Sequence, residues 1–269
     1  MRRIGLSTVP AVACLSAGLL LSACSNTPKD ITVGWTPEKI YQEARDESAA
    51  GAWDKAIGLY EKLEGRAAGT VLAQQAQIDK AYAQYKTNEK PQAIATLDRF
   101  IRLHPTSPAM DYVLYLKGLV NFNDNLGLFS SLINQDLSER DQKAAKESYE
   151  AFMELSKRFP DSKYTPDARQ RMTYIVNSLA GYEVHVARYY ARKGAYVAAI
   201  NRAQQALSDY QNVPAAEEAL AILVYAYDAM GMTQLRDDSR RVLESNYPNS
   251  GFLKNPLVGK ASKPWWQLW

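Results

Sequence analysis

Cysteine and histidine are almost missing from this chain, which holds two of each: Cys14, Cys24, His104 and His185. A metal centre needs several such ligands at characteristic spacing, and thiol catalysis needs a histidine partner; neither pattern is present. His104 stands before a proline at the end of a helix-like run and reads as a packing ring, while His185 lies alone in mid-helix. There is no G-x-S-x-G, no glycine-rich phosphate loop and no H-E-x-x-H. With no set of residues standing out as nucleophile, base and oxyanion donor, the expectation is no enzyme, no cofactor and no metal. Charge of one sign is lacking too. Without Arg2 and Arg3, 30 basic residues face 29 acidic ones, which argues against bulk attraction to nucleic acid. Alternating apolar and polar residues never run far enough to suggest strands.

Long hydrophobic runs are scarce, and the one that exists begins the chain. Arg2 and Arg3 precede an apolar stretch from Ile4 to Leu21, the order of an export signal. The stretch is broken too early by small and polar residues to be a spanning helix, which takes about 20 mostly apolar positions. It closes on Leu21-Ser22-Ala23-Cys24, which resembles the lipobox of bacterial lipoproteins. That likeness implies cleavage before Cys24, diacylation of its thiol and acylation of the new amine. Several acyl chains are what stable membrane attachment takes. In Gram-negative lipoproteins an Asp after the Cys commonly retains the protein at the inner membrane. Ser25 is therefore compatible with the outer one. Residues 1–23 are then a signal peptide and 24–35 a lipidated flexible tether, small and polar to about Val33. The mature chain, about 246 residues, keeps no thiol for a disulfide, so packing alone must stabilise it.

What is present is a repeat. Ala44, Ala81 and Gly118 are small residues 37 positions apart, and Ala187 and Val224 repeat the step. Twelve positions later Ala56, Ala93 and Ala199 begin a second register, each followed by helical spacing such as Ile57-Leu59-Tyr60-Leu63. Three segments end alike, at His104-Pro105-Thr106-Ser107, Phe159-Pro160-Asp161-Ser162 and Tyr247-Pro248-Asn249-Ser250. Counting twelve back from these prolines gives Ala93, Ser148 and Arg236, which puts five second helices on one frame. The period is close to the roughly 34 residues of a tetratricopeptide repeat. Thr36-Pro37, Ser107-Pro108 and Thr165-Pro166 each suggest a capping hydroxyl with proline at a helix start. The expected fold is all-α, five tetratricopeptide-like helix-turn-helix repeats forming a superhelical solenoid over residues 36–252. The repeats fall at about 36–69, 70–106, 107–163, 164–212 and 213–250, with a C-terminal tail at 253–269.

The frame breaks in three places. Gly118 to Ser148 is 30 residues instead of twelve; the insert carries Asn121 to Asn125 and Asp136 to Asp141. It reads either as a binding face or as a solvated loop with Ser138 capping the next helix. The run Pro166–Arg192 is long for a first helix. After Leu63 the chain reads Glu64-Gly65-Arg66-Ala67-Ala68-Gly69 where other repeats show ring-Pro, so the turn out of repeat one should differ. Tyr60, Tyr82, Tyr85, Tyr112, Tyr115 and Tyr149 fall at helix-packing spacings and read as core or groove wall.

Several longer segments carry a resemblance. They are Leu-His-Pro-Thr-Ser-Pro-x-Met-Asp-Tyr (103–112), Tyr-x-Lys-Gly-Leu (115–119), Asp-x-Ser-x-Arg-Asp (136–141), Arg-Phe-Pro-x-Ser-x-Tyr (158–164) and the continuous run 186–202 ending Ala-Ile-Asn-Arg. Together with the lipobox and five repeats, the mature chain resembles the BamD family, also called ComL, lipoproteins of the outer-membrane β-barrel assembly (Bam) machinery. The resemblance implies a scaffold. Its C-terminal repeats would hold the last POTRA domain of BamA, its N-terminal repeats would receive unfolded outer-membrane β-barrel proteins, and accessory Bam lipoproteins would dock on it. By the matching segment, Arg202 would contact a POTRA acidic residue. The likeness also implies a place at the periplasmic face of the outer membrane, held in its lipid through acylated Cys24. The rival is a periplasmic repeat lipoprotein that serves as adaptor for hydrolases, similar to NlpI, which would lack the 136–141 and 186–202 segments. Trp265-Trp266-Gln267-Leu268-Trp269 loosely imitates the end of a barrel strand. It reads as a tail packed on the last repeat, or as one that occupies a groove.

Overall fold

A computed structural model describes residues 30–122 and 139–257, with the side chains of 139–141 left aside. Cys24, the signal, most of the 123–141 insert and the tryptophan tail lie outside the described residues. Ten α-helices occur among the described residues, with no strand: α1(Pro37–Ala49), α2(Trp53–Arg66), α3(Val71–Lys86), α4(Lys90–Leu103), α5(Met110–Asn121), α6(Glu139–Arg158), α7(Thr165–Arg192), α8(Tyr196–Asp209), α9(Ala215–Ala229) and α10(Thr233–Asn246). Each packs antiparallel-hairpin fashion on its neighbours in sequence, and first helices also meet the next first helix, α1 on α3 and α7 on α9. This is the all-α tetratricopeptide-like solenoid expected from the 37-residue step.

The two turn types that build it recur residue for residue. Inside four hairpins the first helix ends on a left-handed residue, at Gly51, Asn88, Gly194 and Gly231, with φ between 63° and 77°. Glycine and asparagine tolerate that region best. The next amide then reaches back: Ala52 N–H donates to Glu47 O, Glu89 to Gln84, Ala195 to Tyr190 and Met232 to Tyr227, all at 2.8–3.0 Å. This satisfies carbonyls that a helix end would otherwise leave unpaired. Between hairpins the ring-Pro-x-Ser segments work identically. The amides of His104, Phe159 and Tyr247 each donate to the carbonyl four residues earlier at 2.8 Å, and those of Ser107, Ser162 and Ser250 donate to the ring residue's carbonyl. Each serine hydroxyl then accepts from the amide two residues on, in Ala109, Tyr164 and Phe252.

That use of the serines corrects one expectation. Thr36 does cap α1, accepting from Lys39 N at 3.3 Å, with Pro37 at the first helical position. Ser107 instead serves its own turn, and α5 begins later, at Met110, without a side-chain cap. Thr165 lies inside α7 and donates to Phe159 O at 2.7 Å, closing the preceding helix rather than opening its own.

The small residues sit where the helices of a hairpin cross. Ala44, Ala56, Ala81, Ala93, Ala187 and Ala199 are all fully buried. In the third hairpin the roles are shared. Gly118 lies under the ring of Phe152, and the Ser148 hydroxyl, also buried, donates to Gly118 O at 2.8 Å. Arg236, at the fifth equivalent position, is half-exposed and pairs with Asp228 and Asp237 at 2.8 Å. No further hairpin follows α10 among the described residues, and the one buried residue of that helix is Leu243. A polar outer face is what an end repeat needs.

The core falls into clusters along the stack. One joins α1, α2 and α3 through Ile40, Leu59, Tyr60 and Leu63. The largest runs from α3 to α7 around Leu97, Phe100, Leu116, Phe152 and Leu155. A third lies on α7, α8 and α9. The 28-residue α7 belongs to two of them, with Ile175 and Leu179 in the middle cluster and Val184, Ala187 and Ala191 in the C-terminal one.

The departure after Leu63 is rebuilt with charge. Glu64 takes Lys80 at 2.7 Å and Arg99 at 2.6 Å, binding α2, α3 and α4 together with Lys80 nearly buried. Arg66 reaches the other way. Its guanidinium donates to Thr32 O at 2.6 Å and to Asp30 at 2.8 Å, and Lys62 joins the same carboxylate at 2.5 Å. The segment before α1 is thereby clasped to α2 from Asp30 onward.

Candidate functional site

Successive first helices meet along the stack and bring aromatic and charged groups together. Between α1 and α3 lies a pocket of about 480 Å³ lined by Tyr41, Arg45, Trp53, Asp79 and Tyr82, with Tyr60 beneath. Tyr41 O–H donates to Asp79 at 2.9 Å, and the Gln75 side-chain amide donates to the same carboxylate at 2.9 Å. Burial pushes the Asp79 carboxyl up, against these two hydrogen bonds, which favour the charged form. Burial, then the adjoining Asp79, holds the Tyr41 phenol above its usual range. The edge of Trp53 meets Tyr82 at 5.9 Å between ring centres, and Lys86 stands 5.8 Å from the Trp53 ring. Arg45 is exposed at the mouth. The arrangement offers aromatic faces, a cation and a hydrogen-bonded acid, which suits a segment of extended polypeptide.

The lining continues along the stack. Tyr112 and Tyr115 stand beside Tyr164 at 5.4 and 4.8 Å. Tyr115 O–H donates to Asp167 at 2.7 Å, and Arg171 Nε holds the same carboxylate at 2.6 Å while its guanidinium lies 4.6 Å from the Phe122 ring. Burial among these rings, with Tyr164, Tyr82 and Asp79 nearby, pushes the Tyr112 phenol up to about 12. Tyr60 is buried, and Tyr85, Tyr112, Tyr115 and Tyr149 pack on the middle core. Tyr82 is the exposed one of the six, on the pocket wall.

Arg202 lies on α8. Its Nη1 donates to Glu183 of α7 at 2.9 Å; the carboxylate is 5% exposed, the arginine side chain 41%. The cation is thus anchored from below and still open above. Nearby, Arg188 forks onto Glu218 of α9, with Nη2 donating to Oε2 at 2.6 Å and Nε to Oε1. A second pocket of about 460 Å³ lies between α9 and α10, lined by Tyr225, Asp228, Arg236, Arg240 and Pro256. His104 packs on Phe100 at 4.9 Å, and His185 is exposed. Among the described residues no group of three or more His, Cys, Asp or Glu is placed to hold a metal ion, and no helix is long and apolar enough to cross a membrane.

The resemblance named Arg202, and nothing in the sequence analysis named the N-terminal pocket. A signal for it exists in the repeat frame. The residues just after the small crossing positions Ala44, Ala81, Ala187 and Val224 are Arg45, Tyr82, Arg188 and Tyr225. Three of them line the two pockets and the fourth bridges α7 and α9.

The family profile described as YfiO, outer membrane lipoprotein, matches residues 35–254. A protein of Neisseria meningitidis serogroup B named outer membrane protein assembly factor BamD is 50% identical over 260 residues, 95% of this chain and 97% of its own. Its namesake in Vibrio cholerae is 35% identical over 227 residues, covering 84% and 94% of the two chains. That of Haemophilus influenzae is 30% identical over 259 residues, covering 93% and 98%. With a family match from just before α1 to beyond the last repeat, and relatives alike over nearly their full length, this chain belongs to the BamD family of outer membrane lipoproteins.

Proposed function

We propose that this protein is a lipid-anchored scaffold of outer-membrane β-barrel assembly, held by Cys24 at the periplasmic face of the outer membrane. The observation that carries the reading is the extent of the likeness to assembly factors, which spans both ends of the repeat stack. In this reading the aromatic pocket of the first two hairpins receives unfolded barrel segments. The α7–α10 end holds the POTRA domain of BamA, and accessory Bam lipoproteins dock on the remaining surface. Arg202 is the charged contact to a POTRA carboxylate. Glu183 supports that role: it fixes the guanidinium while leaving its exposed side to donate to a second carboxylate. Truncating one partner of such a pair, where the interface buries it, typically costs roughly 2–5 kcal/mol, much of it from stranding the other charge.

The test is copurification of tagged protein with BamA after mild crosslinking. Arg202→Glu should weaken recovery of BamA strongly. That change also places a second carboxylate against Glu183, so circular dichroism and melting must accompany it, and Arg202→Gln should give a smaller loss with a native melt. Full recovery of BamA with Arg202→Glu removes the contact from the proposal. Recovery of hydrolases in place of BamA removes the scaffold reading itself.

A further inference from the structure

The segment before α1 is folded in a way that a mere spacer would not require. Asp30 accepts from the Thr32 amide at 3.0 Å and the Thr32 hydroxyl at 2.7 Å, besides Lys62 and Arg66. Arg66 also takes the Thr32 carbonyl, and the turn closes through Trp35 N–H to Thr32 O at 3.0 Å. Thr32 is completely buried by these contacts. Its two neighbours are driven outward: Ile31 is 69% exposed and Val33 74%. Both β-branched side chains therefore stand on a pinned backbone with nothing among the described residues covering most of their surface. Beside them Trp35 is half-buried, with the Lys39 ammonium 4.4 Å over its ring.

We propose that Ile31 and Val33, with Trp35 at their side, form a foot that sits in the phospholipid surface beside the anchor and fixes the tilt of the repeat stack. The inference rests on the reading of Cys24 as the acylated residue. The occupant follows from chain length. Six residues lead from Cys24 to Asp30, which limits the reach to roughly 20 Å even when fully extended. The clasp starts at Asp30, so the exposed pair cannot leave the neighbourhood of the bilayer to which the cysteine is bound. Apolar tips flanked by a tryptophan and a lysine match the headgroup boundary, where aromatic rings and ammonium groups collect. Because these hydrogen bonds already close the turn, contact with lipid has little further backbone to order.

The acylated chain has no free thiol, so single Ile31→Cys and Val33→Cys variants each carry one environment-sensitive fluorophore. They are reconstituted in phosphatidylethanolamine–phosphatidylglycerol vesicles that contain lipid spin-labelled near the headgroup. A label at Glu244→Cys, exposed on α10, serves as reference. The labels at 31 and 33 should be quenched at least twofold more than the label at 244 and shifted to the blue. Vesicle flotation is read in parallel, with the mass of the N-terminal peptide to establish acylation. Chain that floats while labels 31 and 33 stay as unquenched as 244 overturns the foot and leaves the anchor standing. Chain that does not float, with Cys24 unmodified, overturns the anchor and the foot together.

Discussion

Gly118 offers a substitution whose sign runs against ordinary helix behaviour. Replacing a mid-helix glycine by alanine normally stabilises by about 0.5–1 kcal/mol, because the unfolded chain loses freedom and the helix gains a better former. A Cβ on Gly118 would stand 2.3 Å from Cε1 of Phe152, 2.5 Å from Cδ1 and 2.7 Å from Cζ. Carbon atoms prefer about 3.5–4.0 Å, so the ring or the helix must retreat by about an ångström. Phe152 is fully buried, with Tyr115 at 6.0 Å and Phe122 at 6.2 Å between ring centres, and has nowhere to go. Moving α5 from α6 instead stretches the buried bond from Ser148 to Gly118 O, worth about 1 kcal/mol. Overpacking typically costs about 1–3 kcal/mol. Set against the helical gain, Gly118→Ala should destabilise by about 1–2 kcal/mol, or roughly 2–8 °C in Tm for a domain of this size. Gly181, in the middle of α7, has open space where a Cβ would stand, with no atom within 4 Å, and Gly181→Ala should raise Tm by a few degrees. Thermal melts and urea titrations followed by circular dichroism compare the two. Adding Phe152→Leu to Gly118→Ala should restore part of the loss. A Gly118→Ala protein as stable as the parent would refute the close-crossing argument for the whole repeat frame.

Further outcomes follow from the charged groups. Glu64→Leu alone should cost about 3–5 kcal/mol by stranding the buried Lys80, whereas Glu64→Leu with Lys80→Met should recover most of it in the same urea titration. Asp30 is held below its ordinary range, first by its bond from Lys62 and then by Thr32. Its native pKa is thus depressed, so the clasp contributes stability above the unfolded carboxyl's range near 4 and loses it as pH falls further. Asp30→Asn should therefore lower Tm at pH 7, with the gap to the parent closing below about pH 4. Asp79 is shifted the opposite way by burial. Its contribution is present below the unfolded range and lost as pH rises through the raised value, so Asp79→Asn, which still accepts from Tyr41, should melt no lower than the parent at pH 7 and gain on it relative to pH 3.

The periodic parts of this fold were open to reading because they rest on local chemistry repeated at fixed intervals. Small residues at Ala44, Ala81, Gly118 and Ala187 mark crossings, and ring-Pro-x-Ser marks the way out of a hairpin. The cap assignments at Ser107 and Thr165 failed for a physical reason: a hydroxyl near a helix start has two nearby turns to serve, and spacing alone does not say which wins. Arg236 matched the frame by count yet is half-exposed, its long side chain turned to Asp228 and Asp237 where the other hairpins bury a small residue. The pocket residues Tyr41, Trp53 and Asp79 were not legible. They come from three helices, and only the superposition of α1 on α3 brings them together. Glu64 showed as a departure from pattern, but its partners Lys80 and Arg99 are known only from the packing.

The longest helix has a mechanical consequence. At about 1.5 Å per residue, the 28 residues of α7 make a strut roughly 42 Å long that is seated in two cores at once. Load on Arg202 of α8 passes through its pair with Glu183 into α7, whose continuous backbone carries it to the core of the third hairpin. Gly181, between those seats, is where that strut is cheapest to bend. The third and fourth hairpins therefore keep one fixed angle to each other, and under the proposed function a partner held at Arg202 inherits it.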